Sequence, residues 1–167
     1  MNLKSIKNIH FTGIKGVGLN SLALCAQDLG IKVTGSDTSD EFVTDAILNT
    51  RGINYSINFS PSHVPPDTSL LIYTAAHQGP NNPEVLTTKA KNIPTLSHAE
   101  AVGLFMQDKI GIYICGVGGK STTSAMVATI LEHAHLHPSY AVGVGNIPCL
   151  GNPGKYSKKG QYFVAEA

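Results

Sequence analysis

Asn8-Ile9-His10-Phe11-Thr12-Gly13-Ile14-Lys15-Gly16-Val17-Gly18 decides the fold. Its first five residues form a short apolar run of the kind that becomes a buried strand, and glycines follow at once. From Gly18 to Leu29, apolar residues recur at helical spacing (Leu19, Leu22, Ala23, Ala26, Leu29), and Gly30 is a natural stop. Lys32-Val33-Thr34-Gly35 then reads as a second strand. This strand–turn–helix–strand unit builds parallel sheets.

Outward from that unit the alternation continues. The pattern predicts a helix over 40–51, a short strand over 54–57, a buried strand over 70–74, a helix over 84–91 with Pro83 in its first turn, and a strand over 93–96. Ser97 with Glu100 forms a capping-box pattern for a helix over 98–107. A second cycle opens with a strand over 110–115, a glycine loop and a helix over 120–132. Residues 145–160, rich in Gly, Pro, Asn and Lys, read as an exposed loop, and 161–166 as a further strand. The expected fold is therefore α/β: a Rossmann-like doubly wound parallel sheet, residues 1–107, followed by the start of a phosphate-loop α/β domain, residues 108–167.

Both glycine loops lie where a strand feeds a helix, so main-chain N–H groups at the helix start can hold an anion. The first has the spacing GxxGxG, not the dinucleotide GxGxxG. Gly13, Gly16, Val17 and Gly18 are candidates for holding a diphosphate, and Lys15 would add a charge beside it. Ser36 and Asp37, at the end of the second strand, stand where an acidic residue bonds a ribose hydroxyl; Asp37 as a turn cap is the alternative. Thr74, Ala75 and His77 end another strand and are candidates for substrate contact. In the second loop, Gly116-Val117-Gly118-Gly119-Lys120-Ser121-Thr122-Thr123, backbone amides would cradle phosphates, Lys120 would reach the terminal ones, and the Ser121 hydroxyl would hold magnesium. Glu166, at the tip of the last strand, could complete a magnesium site or be an ordinary terminal glutamate.

Composition excludes several classes. The chain has 167 residues, 42% hydrophobic and 14% charged, with a net charge of +1; only Lys158-Lys159 are adjacent cations, so no stripe tracks a nucleic-acid backbone. No stretch approaches the roughly 20 apolar residues of a membrane span. The polar start, Met1 to Asn8, argues against a secretory signal and favours the cytoplasm. Cys25, Cys115 and Cys149 have neither paired nor metal-ligand spacing and are expected to be buried or inert. His133, His135 and His137 straddle a helix end and are expected to be solvated; His10 is expected in the core or at a sheet edge. Tyr73 and Phe59 are expected in the core.

The order of these motifs resembles the Mur ligases of peptidoglycan synthesis. Ile9 to Gly18 is similar to that family's UDP-sugar loop, Gly35-Ser36-Asp37 to the segment after it, Thr74-Ala75-Ala76 with Asn82-Pro83-Glu84 to the alanine-adding branch, and Gly116 to Thr123 to the ATP loop; Leu136-His137-Pro138 and Tyr162 to Ala167 also fit. The resemblance implies an ATP- and magnesium-dependent ligase that phosphorylates the carboxylate of UDP-N-acetylmuramate and joins L-alanine to the acyl phosphate. Lys120 would be catalytic; Gly116, Val117, Gly118, Gly119, Lys120, Ser121 and Thr122 would bind ATP; Ser121 and Glu166 would hold the metal. There are departures: Lys15 replaces a glycine, Val117 and Gly118 stand for Thr and His, Ser121 for Thr, His98 for Arg, and Asn58-Phe59 for Gly-His. The chain is expected to hold only the opening of the ATP domain, to bind UDP-sugar without ligating it, and either to be locally disordered or to associate through bare apolar edges of the second unit. The rivals are a muropeptide-recycling ligase that attaches a tripeptide, an NAD-dependent dehydrogenase domain, and a non-enzymatic UDP-sugar-binding module.

Overall fold

A computed structural model describes residues 1–166; Ala167, the last residue of the final motif, lies outside the described residues. The first half alternates as expected: β1 (Asn8–Thr12), α1 (Val17–Asp28), β2 (Lys32–Asp37), α2 (Asp45–Thr50), β3 (Asn54–Ile57), β4 (Leu70–Tyr73), α3 (Pro83–Ala90), β5 (Thr95–Ser97) and α4 (His98–Met106). The strands form one all-parallel sheet in the order β3-β2-β1-β4-β5. Chain order reverses direction at β1, so the loops after β1 and β4 flank the crevice where doubly wound folds bind ligands. Phe11, Leu70 and Ile72 are fully buried, as are Leu22 and Ala23 of α1 and Ala101 and Phe105 of α4. Each large apolar side chain so buried contributes about 1.5–3 kcal/mol. Ser97 and Glu100 make the expected capping box, and Pro83 opens α3.

The second half contains β6 (Ile110–Ile114), α5 (Lys120–His133), β7 (Ser139–Ala141), β8 (Gly154–Lys155) and β9 (Tyr162–Glu166), in a sheet ordered β6-β9-β7-β8. Only β8 runs antiparallel. β6 is an edge strand whose Ile110 and Tyr113 are exposed. The two sheets share a core. Helix α1 packs against the first sheet and also against β7 and β8: Cys25 Sγ lies 3.4 Å from the Tyr140 carbonyl oxygen, and the Asp28 carboxylate accepts the Tyr156 N–H at 3.0 Å. Ala141, Phe163 and Ala165 belong to the same apolar cluster as Phe11 and Leu22.

Two expectations are corrected. The helix expected over 40–51 begins only at Asp45, because the carbonyls of Thr38 and Asp40 turn to the Lys15 ammonium instead of to amides four residues on. The loop 145–160 is partly buried: Ile147, Gly154, Ser157 and Gly160 are inside, and a two-residue strand runs through it. Of the three cysteines only Cys25 is buried, whereas Cys115 and Cys149 are exposed. Burial raises the Cys25 thiol pKa far above its ordinary value, with Asp28 adding to the effect. His133, His135 and His137 are exposed, the latter two with left-handed backbone beyond the end of α5. Among the described residues no helix is long and apolar enough to cross a membrane.

Candidate functional site

Among the described residues three α-helices start without a side-chain cap, and two of them, α1 and α5, start behind glycine. Both α1, behind Gly16, and α5, behind Gly119 at φ 74°, have glycine at the N-cap and no capping hydrogen bond. By contrast Asn82 caps α3 and Ser97 caps α4. A helix start leaves its first N–H groups without intrahelical partners and carries partial positive charge, so α1 and α5 each present a place for an anion.

The first loop is held from below. Its Gly13 and Ile14 N–H groups donate to the Ser36 carbonyl, and Gly16 N–H to the Gly13 carbonyl. Gly13 has φ 91°, and a Cβ there would stand 2.5 Å from Thr74 Cγ2, so the loop and the end of β4 touch only because this residue is glycine. Thr74 is half-buried, Ala75 is exposed, and His77 sits in left-handed backbone with its ring 5.0 Å from that of Phe59. Phe59 therefore lies against His77, not in the core, while Tyr73 packs on Val64, Leu71 and Val85.

Three residues expected to touch ligand are placed otherwise. Asp37 is 1% exposed; its Oδ2 accepts the Lys15 N–H at 2.7 Å and its Oδ1 the Thr38 N–H at 2.8 Å. That carboxylate ties β2 to the glycine loop, and its Oδ1 also lies 3.7 Å from His77 Nε2. Ser36 is fully buried and donates to Glu84 Oε2 at 2.6 Å. The Lys15 ammonium adds no charge at the loop mouth: it is buried among Thr38, Asp40 and Asp45.

The buried carboxylate of Glu84 was legible in the sequence only as part of a helix start. It accepts from Thr12 Oγ1 (2.8 Å), Ser36 Oγ (2.6 Å) and the Ser60 N–H (3.1 Å), and lies 3.4 Å from His10 Nε2. It thus ties the ends of β1 and β2, and the segment after β3, to the start of α3. His10 is buried as expected; its Nδ1 meets Thr34 Oγ1 at 3.0 Å, but its Nε2 has no partner within hydrogen-bond geometry. Burial alone would raise the Glu84 pKa; the contacts from His10, Ser36 and Thr12 outweigh it and hold the carboxyl below its usual range. A group that binds its proton less tightly when folded gives stability that is complete above the unfolded pKa, about 4.3, and is lost as pH falls through the folded one. Urea unfolding at a series of pH values should therefore show stability falling below about pH 4–5, and the fall should be shallower in Glu84→Gln. An equal slope in the two proteins would contradict this.

The second loop is open. Gly116 to Gly119 are exposed, with the Val117 side chain wholly outside, and Lys120 makes no ion pair among the described residues. Ser121 Oγ donates to Glu166 Oε2 at 2.7 Å, so the two residues proposed for a metal are brought together, and the other Glu166 oxygen accepts the Gly143 N–H. Thr122 is exposed on the first turn of α5.

Residues beside the two loops come close to one another. A Cβ at Gly143 would lie 2.6 Å from Glu166 Oε1 and 3.7 Å from Val17 Cγ2, and a Cβ at Gly18 would lie 2.9 Å from His98 Nε2. Burial lowers the His98 pKa; the Gly18 backbone and the Glu166 charge oppose this without offsetting it. His98 and Gly143 connect the loops across a sequence distance that no local pattern reveals.

Residues 8–110 match the profile of the Mur ligase family, catalytic domain. The chain belongs to the Mur ligase family. It is 36% identical over 161 residues to UDP-N-acetylmuramate–L-alanine ligase of Desulfitobacterium hafniense (strain Y51), covering 96% of this chain and 35% of the relative. To the ligase of the same name from Carboxydothermus hydrogenoformans (strain ATCC BAA-161 / DSM 6008 / Z-2901) it is 38% identical over 159 residues, covering 95% and 33%. The crystal structure of UDP-N-acetylmuramate-alanine ligase from Thermotoga maritima superposes with a TM-score of 0.81 at 29% identity, over 96% of this chain and 36% of that one. UDP-N-acetylmuramate:L-alanyl-gamma-D-glutamyl-meso-diaminopimelate ligase from Neisseria meningitides gives 0.82 at 22% identity, over 98% and 53%, which shows a shared fold alone. This Mur ligase chain spans about a third of the length of the curated relatives it matches. The family profile ends at β6, so the second glycine loop lies beyond it, within the longer matches to whole relatives.

Proposed function

We propose that residues 1–107 bind the UDP part of UDP-N-acetylmuramate and that residues 108–167 open the ATP domain of a ligase joining L-alanine to that sugar. One observation carries the reading: two helix starts behind glycine, α1 and α5, have no side-chain cap, and Glu166 and Gly143 bring their surroundings together. The amides of Val17 and Gly18 at the start of α1 would take the diphosphate, with Gly13, Gly16, Thr74, Ala75 and His77 lining the approach. Lys15, Ser36 and Asp37 support that loop from beneath. In the second loop, Gly116 to Thr122 would surround the ATP phosphates, and Lys120 would neutralise charge on the phosphoryl group as it moves to the muramate carboxylate. Alanine's amine would then attack the acyl phosphate, giving the amide, ADP and phosphate.

The donor set suits magnesium. Ser121 and Glu166 offer one hydroxyl and one carboxylate, hard oxygens of the kind that hold this ion beside waters and phosphate oxygens. When bound, the ion would screen phosphate charge. The alanine-adding reading is favoured over the tripeptide-adding one because relatives at 36–38% identity carry the alanine name, whereas the tripeptide ligase resembles this chain at 22%. Calorimetric titration of the 167-residue chain with UDP-N-acetylmuramate should give saturable binding, and NADH fluorescence should be unchanged by the protein. No heat at millimolar sugar nucleotide, or a saturable NADH signal, would reject the reading.

A further inference from the structure

Lys15 is the most deeply buried cation among the described residues: its side chain is 3% exposed. Desolvating an ammonium is costly unless it is paired and hydrogen-bonded. Here the compensation comes mainly from one stretch of chain, residues 38–45, with the Tyr55 ring 5.7 Å from Nζ on another side. Nζ donates to the carbonyls of Thr38 (3.2 Å) and Asp40, and lies 3.4 Å from Asp45 Oδ1. It also stands 4.9 Å from the centre of the Phe42 ring, within cation–π range. The Lys15 carbonyl accepts the Thr44 hydroxyl. The stretch is thus curled around a charge supplied by the glycine loop; apart from that charge it is held by the Thr38 hydroxyl and the Phe42 N–H donating to Asp40 and Asp45, and by the Tyr55 hydroxyl donating to Asp45.

This strap follows Asp37 directly, at the end of β2. In doubly wound folds the diphosphate lies at the first helix start, and the nucleoside extends toward the end of the second strand. The outer side of the strap reaches the loop after β7: a Cβ at Gly145 would lie 2.9 Å from Val43 Cγ2. We infer that Lys15 is a positioning residue whose buried ammonium holds strap 38–45 in one conformation, so that it walls the nucleoside end of the ligand beside the first glycine loop. The inference rests on the UDP-sugar reading above. It makes the lysine a determinant of nucleoside recognition and not a phosphate contact, which is the role its place in the loop suggests.

The two roles predict different ligand dependence. Lys15→Met keeps an apolar stem of similar length over Phe42 but removes the charge and the donors. The full chain and this variant are titrated with UDP-N-acetylmuramate and, separately, with inorganic pyrophosphate. Amide exchange in residues 38–45 is followed alongside thermal unfolding. The expected result is a loss of affinity for the sugar nucleotide of about tenfold, the effect of one charge-assisted contact, pyrophosphate affinity unchanged within about twofold, and faster exchange confined to the strap. Equal losses for both ligands, or no loss for either, overturn the inference. Asp45→Asn is the milder companion: it removes the counter-charge, leaves both carbonyl contacts, and should change the same ratio in the same direction by a smaller factor. If Lys15→Met does not fold, an Asp45→Asn ratio equal to wild type overturns the inference on its own. Wild-type protein that binds neither ligand fails the functional reading itself, and the inference with it; wild-type binding with unaltered variants fails the inference alone.

Discussion

Replacing Glu84 by alanine is expected to lower the free energy of unfolding by about 3–5 kcal/mol, because it strands three buried donors that share one acceptor. The cost arises from what is left behind. Thr12 Oγ1, Ser36 Oγ and the Ser60 N–H all donate to this one carboxylate, and His10 lies 3.4 Å away. Glu84 is fully buried, so water cannot readily replace the lost acceptor, and each stranded donor costs about 1–3 kcal/mol unless the site relaxes. Because a domain of this kind has only about 5–15 kcal/mol in hand, the variant should sit near the edge of folding at 37 °C. Glu84→Gln keeps one acceptor oxygen but turns an amide NH2 toward donors, and should fall between alanine and wild type. Urea unfolding monitored by far-UV circular dichroism measures all three. A loss below about 1 kcal/mol for the alanine variant would mean that the network contributes only as much as one ordinary exposed contact.

Gly154→Ala should be nearly as damaging for a steric reason. The added Cβ would stand 2.1 Å from the Ser21 carbonyl oxygen and 2.7 Å from its carbon, both backbone atoms of α1. No side-chain rotation relieves a clash with helix backbone, so β8 and α1 must separate. Overpacking of this sort costs about 1–3 kcal/mol and more where the neighbour cannot yield; about 3 kcal/mol is expected. Gly103, on the exposed side of α4, is the internal control, because a Cβ there meets nothing within 4 Å. Alanine at that position should stabilise by about 0.5–1 kcal/mol through helix propensity. Thermal unfolding of the two variants should therefore move in opposite directions. A shift of the same sign in both would show that α1 and β8 are not packed as described.

What could be read from the sequence follows from what acts locally. The β1–loop–α1–β2 unit was legible because glycine spacing, apolar periodicity and the Gly30 stop all act within a few residues. The α4 cap was legible for the same reason, with Ser97 and Glu100 three apart. Ser121 and Glu166 are named from the sequence as candidate magnesium ligands; that their side chains meet directly is seen only in the fold. The reach of Asp37 was misjudged: an acidic residue at that position can turn to a ligand or to the loop beneath it, and only the closeness of the Lys15 N–H decides. The length of α2 was misjudged because the buried ammonium that diverts the preceding carbonyls lies 25 residues earlier in the chain, at Lys15 relative to Asp40. β7 and β8, of three and two residues, are too short to show a period of two. Glu84, His98 and Gly143 gained their roles from neighbours far away in the chain, which no window of local pattern contains.

Helix α1 has one face built early and another built late. As the polypeptide leaves the ribosome, β1, α1 and β2 emerge well before the residues that cover the outer side of the helix, Tyr140, Gly154 and Tyr156. Throughout that interval a nascent chain must carry a half-clothed helix, the kind of transient surface that draws chaperones or unwanted neighbours during translation.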